Sequence, residues 1–327
     1  MKIAFYSPHL GLRGTEVTMY DFAHYNETIL GNESIIIYHP NAPQNDESVI
    51  KKFNDRFPVH ELVGPNYVFN WMADETVPLL DEKLISNKCD AVYMQKGGYN
   101  DGVYSRVRKN LILCCALTKE PHGEVYAYIS KWLSDFMSDG ELPYVPSIVD
   151  LPDVEENLRK ELEIPENATV YGRTGGMDTW SLPWVSKAIF KSLEKRNDIY
   201  FIFQNTPRFI NHPRVKYIQS TADMTFKVKF INSCDAMIHS REDGETFGVA
   251  CGEFSLRNKP IITWKNAQQR SHIEILKEKG IYFENENDVF NILTTFDSAK
   301  LPHNNWNCYQ EFSPEKVMQK FNEVFLK

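Results

Sequence analysis

Hydrophobic and polar positions follow a repeating order along the first part of the chain. Residues 2–7, "KIAFYS", form a short apolar run that opens into "PHLGLRGTE", a loop rich in glycine and turn formers. Val17, Tyr20, Phe22, Ala23, Ile29 and Leu30 then recur at helical spacing. "SIIIYH" at 34–39 is a second buried-strand pattern. Strand, glycine loop, helix, strand is a βαβ opening and predicts a parallel sheet. Further strands are expected at 58–63, 90–95, 110–117 and 124–130, with helices near 46–56, 69–86 and 130–138. Residues 139–153, "DGELPYVPSIVDLPD", carry Pro143, Pro146 and Pro152 and close the first unit. The charged "VEENLRKELEI" at 154–164 reads as a helix.

A second βα series begins at "ATVYGRTGG", residues 168–176. Its strands are expected near 169–173, 199–204, 214–218, 235–239 and 260–264, and its helices near 181–195, 223–232, 247–256 and 270–278. Residues 313–327 are amphipathic, with Ser313 as a cap and Pro314 in the first turn. The expected fold is α/β, with two Rossmann-like doubly wound parallel-sheet domains at 1–148 and 149–312. Such sheets bind ligands at the carboxyl ends of their strands, and two of them would face a cleft.

A length of 327 residues suits two such domains. With 36 basic against 44 acidic residues the formal charge is −8, which disfavours a nucleic-acid partner. The six cysteines include no C-x-x-C pair and are read as reduced thiols, so a cytoplasmic location is expected. "MKIAFYSPHL" is too short and too polar after Phe5 for a signal peptide, and no apolar run is long enough to span a bilayer. Peripheral membrane contact stays compatible with this composition. No D-x-D pair, H-E-x-x-H motif, G-x-S-x-G elbow, Walker ending or His/Cys set with metal-ligand spacing occurs, so no metal site is expected.

The densest chemistry lies in "SREDGETFGVACGEF", residues 240–254. Glu245 is expected in the loop or at the helix entrance and Glu253 about two turns inside. Eight residues at helical pitch leave the two side chains about 80° apart. The amides of Thr246, Phe247 and Gly248 would then face a ligand at the helix N-terminus, where anions are favoured and Gly248 permits close approach. A helix-entry acid and a solvated helix acid are the competing reading of the same pair. Against it stand Val249, Ala250, Cys251, Phe254 and Leu256, which mark the helix as buried, and a carboxylate there needs a partner.

"EDGETFGVACGEFSLRNKPIIT" resembles the E-x7-E region of retaining GT-B glycosyltransferases of the family 4 type, matching at Glu245, Phe247, Gly248, Glu253, Pro260, Ile261 and Ile262. "GLRGTE" resembles that family's glycine-rich first loop and "VYGRTGG" its second-domain start. The terminal segment 313–327 resembles the helix that returns to the first domain. The resemblance implies sugar transfer from a nucleotide-diphosphate sugar to a glycan or other hydroxyl acceptor, with retention and without a metal or other cofactor. It places Glu253 on the ribose hydroxyls, Glu245 on the transferred sugar and Arg173 on the diphosphate. Gly11 and Gly14 would approach the same phosphates. His122 is the nearest match to a histidine at the reacting carbon; a structural histidine is the alternative. The family's second phosphate cation, a Lys five residues after the Arg, is Asp178 here. Arg13, Lys96, Lys229 and Arg241 are candidate substitutes. Asp178 also keeps open a non-catalytic sugar-nucleotide or glycan-binding module on the same scaffold.

Overall fold

A computed structural model describes residues 1–63, 73–302 and 305–327. The chain divides into two compact units, Met1–Ile148 with Phe312–Lys327, and Val149–Glu311.

The first unit runs β1 (Lys2–Tyr6), α1 (Gly14–Thr28), β2 (Glu33–Tyr38), α2 (Glu47–Asn54), β3 (Val59–Glu61), α3 (Ala73–Ser86), β4 (Ala91–Lys96), β5 (Lys109–Cys114), β6 (Val125–Tyr128) and α4 (Lys131–Ser138). All its strand pairs are parallel, in the order β3-β2-β1-β4-β5-β6. Continuous apolar strands such as Ile35–Ile37 and Leu111–Leu113 are buried, as a sheet covered by helices on both faces requires. Helix starts follow capping chemistry. The Asp46 carboxylate accepts from the Ser48 and Val49 amides, and the Ser130 hydroxyl accepts from Leu133 N–H. Residues 69–72 of the helix expected at 69–86 lie outside the described residues.

The second unit contains β7 (Thr169–Arg173), α5 (Pro183–Lys195), β8 (Ile199–Gln204), β9 (Val215–Ile218), α6 (Met224–Asn232), β10 (Ala236–His239), β11 (Gly244–Glu245), α7 (Val249–Leu256), β12 (Ile261–Trp264), β13 (Gln269–Arg270), α8 (Ser271–Leu276), β14 (Ile281–Phe283) and α9 (Glu286–Thr295). Its main sheet is β14-β12-β10-β7-β8-β9, the same reversal of order as in the first. Tyr171, Phe201, Phe203, Ile238, Ile262 and Phe283 line its core against α5 and α9.

Several elements differ from the sequence reading. Residues 154–164 form turns rather than a helix. Arg159 is drawn inward there, donating to the carbonyls of Ser233, Glu166 and Ala168 and pairing with Asp235 at 3.0 Å. Glu163 adopts φ +55°. Tertiary hydrogen bonds thus override the charged helical pattern. β14, α9 and the short β11–β13 pair were not expected.

The last helix, α10 (Pro314–Phe321), continues into a π-helical turn over Asn322–Leu326. Phe321 packs on Phe22 of α1 at 5.1 Å and on Tyr93 of β4 at 5.7 Å, so this segment completes the core of the first unit. Lys109 donates to the Phe325 carbonyl at 2.8 Å, satisfying one acceptor of the helix end.

Candidate active site

β7 and β10 are neighbours at the point where the strand order of the second sheet reverses, which is where open α/β sheets leave a crevice at their carboxyl edge. β7 ends on Arg173 and β10 on His239. The chain then turns into β11, which pairs with β13 so that Glu245 stands beside Arg270. Gly248 caps α7 at φ +91°, a conformation that glycine supplies without strain. This left-handed residue separates the two acids. Glu245 is on β11 and Glu253 is one turn inside α7, so their eight-residue spacing does not translate into a helical angle.

Glu245 is held from both sides. His239 Nε2 donates to Oε1 at 3.1 Å and Arg241 donates to Oε2 at 2.9 Å. Burial pushes this carboxyl up, but the His239 hydrogen bond and the Arg241 charge outweigh it and hold the pKa at about 2. Behind His239 stand Thr263, at 2.9 Å from Nδ1, and His272, whose Nε2 lies 3.0 Å from the same hydroxyl. Burial lowers His272 to about 3, so its imidazole is neutral near pH 7.

That depression makes folding acid-sensitive. An unfolded chain protonates His272 below the ordinary value of 6.5, whereas the folded chain resists until about 3. This stability is complete above 6.5 and is lost as pH falls, by about 2 kcal/mol over the first 1.5 pH units. Glu245 adds a loss of the same sign between 4.5 and about 2. His39 of the first unit, lowered to about 4 by burial, acts in the same direction. Urea titrations of wild type and His272→Gln at pH near 7 and near 5 should show a smaller loss in the variant. Equal losses would contradict a buried neutral His272.

Glu253 is 2% exposed and pairs through Oε1 with Lys227 of α6. Its other oxygen, Oε2, is buried and has no hydrogen-bond partner among the described residues. An orphaned carboxylate oxygen is costly unless a donor arrives. Ser240 Oγ and His272 Nδ1, in the same region of the second unit, are orphaned as well.

Arg173 is 2% exposed. Its Nη1 donates to the Asn205 carbonyl at 2.7 Å and to Thr206 Oγ1, and its Nη2 donates to the Gly176 carbonyl at 2.8 Å and to Thr179 Oγ1. Its terminal nitrogens therefore tie the loop after β7 to the loop after β8. Burial lowers its pKa to about 10, with Glu245 and Asp178 opposing that shift. Asp178 is exposed on the turn that follows. Among the candidate substitute cations, Arg241 belongs to the second unit and stands beside Glu245 with its side chain 27% exposed. Lys229, two residues from Lys227, points away from that face of α6 at a helical pitch of about 100° per residue.

The other proposed residues are placed as follows. Thr246 and Phe247 bridge β11 and Gly248; the Phe247 ring is buried edge-on to Tyr309 at 5.8 Å, and the Phe247 carbonyl accepts from the Tyr309 hydroxyl at 3.2 Å. Gly11 and Gly14 lie in the first unit. A Cβ on Gly11 would meet the Gln44 carbonyl at 2.6 Å, whereas one on Gly14, at the start of α1, would meet nothing. In the same loop His9 Nδ1 contacts Glu16 at 2.9 Å. His122 has both ring nitrogens engaged, Nδ1 with the Glu120 carbonyl at 2.8 Å and Nε2 with Lys96 at 3.2 Å. Lys96 in turn pairs with Asp101. These contacts describe a fixed ring just before the amino end of β6, reached by the Lys96 side chain from the end of β4.

Sequence reading passed over Lys227, His239, Thr263 and His272. His239 had one visible signal, its place at the carboxyl end of an expected strand. Among the described residues no group of three or more His, Cys, Asp or Glu side chains is arranged to hold a metal ion. No described helix is long and apolar enough to cross a membrane. A polar hollow of about 790 Å³ lies at the opposite edge of the second sheet, but Arg159 and Arg196 beside it are already paired with Asp235 and Asp198.

No protein-family model and no curated protein matches this sequence. Solved structures do match in shape. HepE of Anabaena, in complex with UDP and glucose, superposes with a TM-score of 0.74 at 15% identity over 100% of both chains. WaaG, a glycosyltransferase involved in lipopolysaccharide biosynthesis, gives 0.65 at 10% identity, covering 98% of this chain and 99% of its own. A UDP-N-acetylglucosamine 2-epimerase gives 0.62 at 10% identity, covering 100% and 96%. With two parallel six-stranded sheets of matching order, these likenesses identify the fold of the chain as GT-B.

Proposed function

We propose that the protein is a retaining glycosyltransferase that moves a sugar from a nucleotide-diphosphate donor to an acceptor hydroxyl, without a metal in the chemistry. The observation that carries this reading is the orphaned, buried oxygen of Glu253 beside a glycine-capped helix N-terminus at the sheet's reversal point. Ribose hydroxyls are donors of the kind that oxygen lacks. The second unit is then the donor-binding domain and the first the acceptor-side domain. The UDP and glucose in the HepE structure make a UDP-sugar the first donor to test.

In the step itself the bond from the anomeric carbon to the diphosphate oxygen breaks. The acceptor oxygen bonds to that carbon on the same face, and its proton passes to the departing diphosphate. Charge on that leaving group is met by Arg241 and by the amides before α7, beside the loops that Arg173 ties together. In the first unit the candidates are Gly11 and Gly14, as donor-binding positions, and His122, as the catalytic histidine with Lys96 fixing its tautomer. The free cysteines among the described residues fit a reducing, cytoplasmic setting.

A thermal-shift titration with UDP, GDP, ADP, CMP and dTDP, with and without a divalent metal, tests this reading. Stabilisation of about 2.7 kcal/mol is expected at a hundredfold excess over Kd for one nucleotide, independent of metal. Glu253→Gln should weaken that nucleotide by about tenfold to a hundredfold, because ribose loses a charged acceptor. No response to any nucleotide, or an unchanged Kd in the variant, would reject the donor site. The terminal nitrogens of Arg173, already committed to its loops, together with Asp178, favour a second reading as a non-catalytic sugar-nucleotide or glycan-binding module. Slow hydrolysis of the donor without acceptor separates the two, since a binding module would not show it.

A further inference from the structure

The groups behind Glu245 form a hydrogen-bonded chain. The parallel register of β10 and β12 sets His239 beside Thr263. The β11–β13 pair joins Glu245 to Arg270, two residues before His272. The His239 and His272 rings then lie 4.9 Å apart with the Thr263 hydroxyl between them. His239 is 6% exposed, and Thr263 and His272 are fully buried.

Hydrogen-bond chemistry gives this chain a direction. A carboxylate flanked by Arg241 only accepts, so His239 Nε2 carries the proton it shares with Glu245. A neutral imidazole has one donor and one acceptor, so His239 Nδ1 accepts from the Thr263 hydroxyl. That oxygen is then free to accept from His272 Nε2–H. His272 Nδ1 is left bare, in agreement with its having no partner among the described residues. The opposite direction would require a buried imidazolium at His239 and a buried N–H without an acceptor at His272. Among the described residues nothing at the bare end supplies a proton, so the chain orients a group rather than conducting protons.

We propose that His272, Thr263 and His239 are positioning residues that hold the Glu245 carboxylate at the angle where its remaining lone pairs accept a hydroxyl of the bound donor sugar. The proposal rests on the donor-site reading above and adds to it the means by which sugar, as distinct from nucleotide, is recognised. His239 and Arg241 occupy one lone pair on each oxygen and leave the others for the ligand. Glu245 ends the two-residue β11, whose pairing with β13 holds the backbone but not the side-chain rotamer, so the carboxylate needs such support.

Three measurements on the full chain decide it. Long-range ¹⁵N–¹H spectra near pH 7 should show both His239 and His272 protonated at Nε2; protonation of His272 at Nδ1 overturns the direction of the chain. Calorimetry with UDP and with UDP-glucose gives the affinity increment due to the sugar. Thr263→Val, which keeps shape and removes the hydroxyl, should lower that increment and kcat by about tenfold, with the UDP Kd changed less than about twofold. Thr263→Ser should restore both. Equal losses in Val and Ser, or no loss in Val, overturn the positioning role. If Thr263→Val does not fold, the wild-type tautomers and the serine variant still decide. If wild type binds no nucleotide at all, the donor-site reading fails and takes the sugar role with it, while the tautomer result separately decides whether the directed chain exists.

Discussion

Glu245→Gln is expected to reduce sugar transfer by about a hundredfold to a thousandfold, the range for losing one preorganised electrostatic contact to a reacting group. The carboxylate is ionised and receives His239 on one oxygen and Arg241 on the other. An amide in its place turns one acceptor into a donor. Whichever way the amide is turned, a donor then faces a donor, either the imidazole N–H or the guanidinium. The sugar hydroxyl loses a charged acceptor and the acceptor's orientation together. Glu253 and Lys227 are on other elements and stay as they are, so UDP affinity should change by less than about threefold. Steady-state kinetics and calorimetry on the same preparation test the split. Equal losses of transfer and nucleotide binding would mean that Glu245 supports the helix entrance rather than the sugar.

Gly244→Ala is expected to destabilise the second unit by about 3–5 kcal/mol, lowering its Tm by about 10 °C. Two effects act together. The backbone there has φ +79°, a region that a Cβ disfavours. A Cβ would also lie 2.1 Å from the Gln269 carbonyl oxygen and 2.6 Å from Ala267 Cβ. The first of these neighbours is backbone in β13, the partner strand of β11. It moves only if the β11–β13 pair opens, and that pair is what places Glu245. Calorimetric unfolding should therefore show the loss, and any folded variant should also have lost the difference between UDP-sugar and UDP affinity. A variant as stable as wild type would show that the loop relaxes freely and that β11 does not fix the acid.

Both predictions concern the stretch 240–254 that stood out in the sequence, yet their reasons did not. The alternation of apolar runs and helical spacing placed β1, α1, β2 and the strands from β7 to β10 close to where they lie, because a buried parallel strand is a continuous apolar run whatever surrounds it. The charged segment 154–164 misled because its helical pattern is a local preference, and Arg159 gains more from three carbonyls and Asp235 than a short exposed helix would give. β14 is only three residues long and α9 follows it at once, so neither made a pattern that separated it from a loop.

What the sequence determined by itself is the order of strands and helices, the position of the glycines and the presence of two acids near one helix start. Those are properties of neighbours along the chain. Tertiary structure alone decided which groups answer those acids. Lys227 meets Glu253 across 26 residues and Thr263 meets His239 across 24, distances closed only by the register of a parallel sheet and the packing of α6 on α7. It also committed the Arg173 terminal nitrogens to carbonyls and both nitrogens of His122 to neighbours. A residue type announces what chemistry it is able to do, but its lone pairs and N–H groups are finite. Which of them remain for a ligand is settled only when every other partner has taken its place.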